Sequence, residues 1–220
     1  MIAIHQPNYL PWLGFFDKAR IADCLVLLDN VPYTRGSVIN RNKIKTNRGW
    51  QWITIPVYHR SDTLIEDVLT LNSRWEQVHR KTLIMNYSKA PHFSEIDSIL
   101  HKIYQKRWPK LAEFNETIIR LLLDYLDLNP RIVRASELEV KGKSSGLLVN
   151  ICKAVNDHEY LSGIGARDYL DLSLFGKEQI AVKFQQFRSP EYPQLFGDFI
   201  PNLSAIDYLF NCGNAKWWAQ

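Results

Sequence analysis

Apolar segments of two kinds alternate along this chain. "IAIHQ" (2–6) is a short apolar run ended by Pro7, and "CLVLLDN" (24–30) is a continuous one. Continuous apolar runs of this length predict strands buried on both faces, as in a parallel sheet. Between them Leu10, Leu13, Phe16 and Ile21 keep a helical spacing, and Pro11 stands where a first helical residue would. Strand, helix, strand predicts a βαβ unit with a right-handed crossover.

The period then changes. Residues 34–57 read as a β-ribbon, with a basic limb, a turn at "TNRG" and an aromatic, β-branched return limb ending at Pro56. "SDTLIEDVLTL" predicts another strand. From Arg74 to about Leu128 the pattern is helical, divided by Pro91 and Pro109 and closed by "NP" at 129–130. "RIVRASEL" (131–138), "EYLSG" and "IAVKFQQF" (180–187) predict three further strands. "GKSSGLLVNICKAVN" predicts a loop into a helix capped by Ser144 or Ser145, and "NLSAIDYLFNCG" a last helix stopped by Gly213. Together these predict an α/β fold: a Rossmann-like, mostly parallel sheet with a β-ribbon excursion and a helical insertion at about 74–128. All of it is expected within a single domain, 1–220.

Composition changes this picture little. With 46% hydrophobic residues the chain can bury a core without a disulfide or metal staple. The three cysteines have no CxxC spacing, and no signal segment precedes the first strand, which points to a reducing cytoplasm. No apolar run is long enough for a membrane span. A net charge of +4 suits an anionic small molecule and is too weak to argue for nucleic acid.

Open α/β sheets bind ligands outside the carboxyl ends of their strands. His5, Gln6 and Asn8 follow the first strand, Asp29 the second, and Ser162 ends "YLSG". His5 is a candidate general base or phosphate contact, and equally a buried ring bonded to a carbonyl. Asp29 is a candidate to orient His5 or bind an amine, and equally a turn cap. Gln6, Asn8 and neighbouring Tyr9 are candidates to read sugar hydroxyls or an amide, although Asn8 beside Pro7 also suits a turn.

On the basic limb, alternation puts Arg41, Lys43 and Lys45 on one face and Asn40 and Asn42 on the other. Such a face could hold a diphosphate, or simply protect a solvated edge strand. Trp75 and His79 stand one helical turn apart, placing His79 either in a cleft as a second candidate base or in a partly buried helix face. Tyr192 and Gln194 are candidate walls, with Asp207 facing them. There is no HExxH and no His/Cys pair at ligand spacing, so no metal is expected. His5, Asp29 and Arg41 are expected to meet around one hollow.

"IHQPNYLPWLGFFDK", "LLDNVPYTRGSVINRNKIK", "WQWITIPV", "YLSG" and "YPQLFGDFIPNLSAIDYLF", in that order, resemble the motifs of the WbqC-like family over nearly the whole chain. The resemblance implies a role in bacterial surface-polysaccharide (O-antigen) biosynthesis and carries no assigned catalytic residue. Combined with the residues above, it leads to the expectation of a cytoplasmic transferase that acylates or aminoacylates a nucleotide-linked amino sugar. His5, His79 and Asp29 are its expected catalytic groups. It calls for an acyl or aminoacyl donor rather than a fixed cofactor. Two alternatives stand beside it: an ATP-dependent adenylating or nucleotidyl-transfer enzyme, and a non-catalytic nucleotide-sugar binder.

Overall fold

The computed structural model describes residues 1–219. Its centre is a five-stranded parallel sheet formed by β1 (Ile2–His5), β2 (Cys24–Leu27), β7 (Arg131–Arg134), β8 (Glu159–Ser162) and β9 (Ala181–Phe184). The spatial order is β7-β2-β1-β8-β9. β1 is therefore central, with His5 opposite Leu27 and Ala3 opposite Leu161.

The period of two along each strand feeds two cores. Ile2, Ile4, Cys24 and Val26 pack on one face with α5 (Ser144–Ala154) and α6 (Leu172–Lys177). Ala3, Leu25, Leu27 and Leu161 pack on the other with α1 (Leu13–Ile21), α4 (Leu111–Tyr125) and α7 (Ala205–Cys212). Burial on both sides explains why the strand sequences are continuously apolar. α1 begins at Leu13 with Trp12 as its N-cap, so Pro11 lies just before the helix rather than inside it. A β-carbon on Gly14 would lie 2.4 Å from the Trp12 ring, so only glycine lets that ring cover the helix start.

Strand β3 (Arg41–Thr46) pairs antiparallel with β4 (Gly49–Thr54) as the basic ribbon. Its basic limb starts at Arg41, and residues 35–40 form turns and bends. A small ribbon of β5 (Val57–Tyr58) and β6 (Leu69–Thr70) leads to α2 (Trp75–Tyr87), α3 (Phe93–Tyr104) and α4. The strand expected over 131–138 stops at Arg134 and becomes a 3-10 turn over Ala135–Leu138. Neither Ser144 nor Ser145 caps α5; the Ser145 hydroxyl instead accepts from the Asp171 amide at 2.9 Å. Among the described residues, no helix is long and apolar enough to cross a membrane.

Candidate functional site

Connections from β1 run to β2 on one side of the sheet, and the chain later returns to β8 on the other. The loops after β1 and β8 diverge there, and a crevice must open between them. A cavity of about 660 Å³ occupies this point, within the range for a small-molecule ligand. His5, Gln6 and Asn8 from the β1 end line it, with Lys18 of α1, Ser162 and Gly163 of the β8 end, and the first turn of α5 at Ser144 and Ser145. Tyr169, 75% exposed, stands at its mouth.

Pro7 cannot donate to a ladder, so β1 stops and the following residues turn across the strand ends. His5 is partly buried and meets Phe15 edge-on at 4.9 Å. Its Nδ1 lies 2.9 Å from the Gln6 carbonyl. That contact requires an Nδ1–H donor, which leaves Nε2 as the free lone pair. Burial first, and then the nearby Lys18 charge, lower its pKa to about 3, so the ring is neutral at physiological pH. Asn8 is 2% exposed, and its amide oxygen has no partner. A buried acceptor without a donor costs free energy unless a ligand supplies one.

Lys18 carries the strongest signal. It is 5% exposed on α1, and burial pushes its pKa down to about 8. Among the described residues no carboxylate pairs with its ammonium, which remains mostly charged at neutral pH. The first turn of α5 adds peptide N–H groups with no intrahelical partner. An unpaired buried cation and free amide donors border one space that Asn8 also lines, an arrangement that suits an anionic ligand with a neighbouring amine or hydroxyl. Sequence reasoning missed Lys18. The available signal was a lysine three residues after Phe15 and four after Gly14, on the helix face that continues from "LGFF" (13–16).

The other expected residues lie elsewhere. His79 is buried away from the cavity, with Nδ1 2.7 Å from the Tyr9 hydroxyl and Nε2 3.0 Å from the Thr54 carbonyl. Tyr9 also bonds the Tyr104 hydroxyl at 2.7 Å, and Trp75 meets His79 at 5.3 Å within the same aromatic cluster. Both ring nitrogens of His79 are engaged, so it has no lone pair to offer a substrate. Burial lowers its pKa to about 4. Asp29 lines neither this cavity nor the one described next. Its two oxygens accept from the Ser136 amide at 2.9 Å and the Ser136 hydroxyl at 2.8 Å, tying β2 to the turn after β7.

Asn40 and Arg41 line a separate cavity of about 370 Å³ beside the ribbon. Asn42 is a latch: its Nδ2 donates to the Leu10 carbonyl at 2.7 Å and its Oδ1 accepts from the Lys43 amide. Lys43 lies 4.2 Å from the Trp50 ring. The alternation of Arg41, Lys43 and Lys45 holds, but Lys45 is covered, donating to Gln194 Oε1 and the Asp198 carbonyl. Tyr192 donates to Asp207 at 2.9 Å, and Asp207 also accepts from Tyr87, so these walls belong to a closed polar network. The expected convergence of His5, Asp29 and Arg41 on one hollow therefore does not occur. The three side chains occupy three environments.

The fold and its crevice define a doubly wound α/β protein with a ligand-sized cleft at the reversal of strand order. The chain belongs to the WbqC-like protein family, whose model matches residues 6–217. It is similar to the uncharacterized protein Rv1507c of Mycobacterium tuberculosis (strain ATCC 25618 / H37Rv), at 35% identity over 216 residues, covering 96% of this chain and 94% of that protein. No solved structure matches the chain.

Proposed function

We propose that the cleft binds a nucleotide-linked amino sugar and acylates or aminoacylates its amine, as a cytoplasmic step in surface-polysaccharide biosynthesis. The observation that carries this reading is the buried, unpaired Lys18 ammonium facing the same space as the neutral ring of His5. A charge held without a partner in the free protein is suited to a phosphate that brings its own negative charge. The first turn of α5 supplies further donors to that phosphate. The orphan Asn8 oxygen accepts a hydrogen from the sugar's amine or a neighbouring hydroxyl.

In this scheme the amine nitrogen bonds to the acyl carbon of a thioester donor. The carbon–sulfur bond breaks with its electron pair going to sulfur. The amine proton passes to Nε2 of His5, which then returns it to the departing thiolate. An anionic substrate group beside Lys18 cancels one of the two causes that depress His5, making the ring a stronger base at the moment it is needed. His79, Tyr9 and Trp75 support the cleft from the core, and Asp29 fixes the sheet edge; in this scheme none of them touches substrate.

The test is incubation of the protein with acyl thioesters or aminoacyl donors and a set of nucleotide-linked amino sugars, with products read by mass spectrometry. The expected result is a mass gain on the amino sugar that His5→Ala reduces strongly. Turnover unchanged in His5→Ala would remove the base assignment. Pyrophosphate released from ATP would point instead to adenylation, and binding without any product to a nucleotide-sugar carrier.

A further inference from the structure

The smaller cavity lies between the turn that follows β2 and the ribbon strands β3 and β4. It is lined by Tyr33, Arg35, Asn40, Arg41, Thr54 and His59, among others, and none of its lining residues is acidic. Two features are unexplained by folding. The Asn40 side chain is 6% exposed; its Nδ2 donates to the Ile55 carbonyl at 2.9 Å, which fixes the amide's orientation and leaves Oδ1 without a donor. The Nε of Arg41 is likewise buried without an acceptor.

The guanidinium of Arg41 is held in place rather than swinging in solvent. It stacks 4.2 Å over the Trp52 ring, and Gly36, at φ +75°, turns beneath it so closely that a β-carbon there would lie 3.4 Å from Arg41 Nη2. That positive φ favours glycine. Arg35 joins from the same turn; both arginines are close enough to favour the Tyr33 phenolate against the burial that raises its pKa. Fixed guanidinium donors match phosphate oxygens in a way that mobile surface lysines do not.

We infer that this second cavity is a binding site for a phosphorylated sugar or similar phosphate monoester, with Arg41 and Arg35 on the phosphate and Asn40 Oδ1 accepting from an adjacent hydroxyl or amine. The site is separate from the cleft at the strand ends and does not depend on the reaction proposed there. One unpartnered acceptor, Asn40 Oδ1, and one unpartnered donor, Arg41 Nε, select a ligand carrying both signs of hydrogen-bonding group, which inorganic phosphate satisfies less well than a sugar phosphate.

Isothermal titration with glucosamine 1-phosphate and with inorganic phosphate tests this, carried out in a Lys18→Met background so that the anion anchor of the larger cleft is absent. The expected result is saturable binding of glucosamine 1-phosphate, weakened about tenfold or more by Arg41→Gln. Arg35 is exposed, so Arg35→Gln should also weaken binding while leaving the melting temperature unchanged; this covers the case in which Arg41→Gln unfolds. Affinity unchanged by both arginine variants, or no binding up to about 5 mM, would overturn the site. Equal affinity for inorganic phosphate would overturn the Asn40 contact.

Discussion

The ammonium of Lys18 lies 3.4 Å from the point where a side chain on Gly163 would begin. The end of β8 and the middle of α1 thus approach each other at the cleft, and a side chain longer than a single methyl at 163 would press on the ammonium. Gly163 has φ −71° and ψ 147°, which any residue can adopt. Gly163→Val should therefore leave the melting temperature nearly unchanged while displacing the flexible lysine tip. Affinity for UDP, measured by titration, should fall about tenfold, the loss expected for one charged contact.

Lys18 also sets a trade of stability against binding. Its folded pKa of about 8 lies below the ordinary 10.5, so the unfolded chain holds this proton more tightly. The cost is complete below pH 8 and disappears as pH rises to 10.5. Lys18→Met should be more stable than wild type by up to about 3 kcal/mol near neutrality. The difference in urea midpoints should close between pH 8 and 10.5, and UDP binding should be lost.

Acid should act through the two buried histidines. His5 and His79 are lowered from 6.5 to about 3 and about 4. Above pH 6.5 both are neutral folded or unfolded, and neither affects stability. As pH falls below 6.5 the unfolded chain takes up protons that the folded chain refuses. By pH 5 each histidine should cost about 2 kcal/mol. His5→Gln should recover its share, read from urea unfolding at pH 7 and pH 5.

His79 should prove structural. His79→Ala removes the link between Tyr9 and the Thr54 carbonyl and leaves a hole against Trp75. The expected cost is about 3 kcal/mol or more. UDP affinity of the folded fraction, measured well below the melting temperature, should stay within about twofold of wild type. A selective loss of binding with unchanged stability would put His79 in the site after all.

Much of the architecture was legible because it is written in periods. The apolar runs at 2–6 and 24–30 are of the sort that parallel strands bury on both faces, and the helices between Arg74 and Leu128 carry their own stripes. α6 was not seen, since "LSLFGK" is too short to show a period. The site was harder to read. His5, Gln6, Asn8 and Ser162 could be placed together because strand ends of a parallel sheet share a rim. Trp75 and His79 four apart look the same whether that helix face meets a cleft or a core, and only the packing of Tyr9, Tyr104 and Phe114 around them decides it. Lys45 read as a surface cation because nothing local announces that residues 194–198 fold over it. Lys18 was hidden by the opposite problem, a charged residue in a stripe whose neighbours are buried.

One side chain in the helical insertion joins these parts. The amide nitrogen of Asn115, a fully buried residue of α4, donates to the Pro7 carbonyl at 2.8 Å and to the Ile39 carbonyl at 2.7 Å. Pro7 sits between two residues of the large cleft, and Ile39 precedes Asn40 of the smaller one. The segments bearing the two hollows are pinned to a single nitrogen, like two doors hung from one post. The insertion is therefore not an ornament that could be trimmed to leave a minimal sheet: cutting it away would unhinge both chambers together.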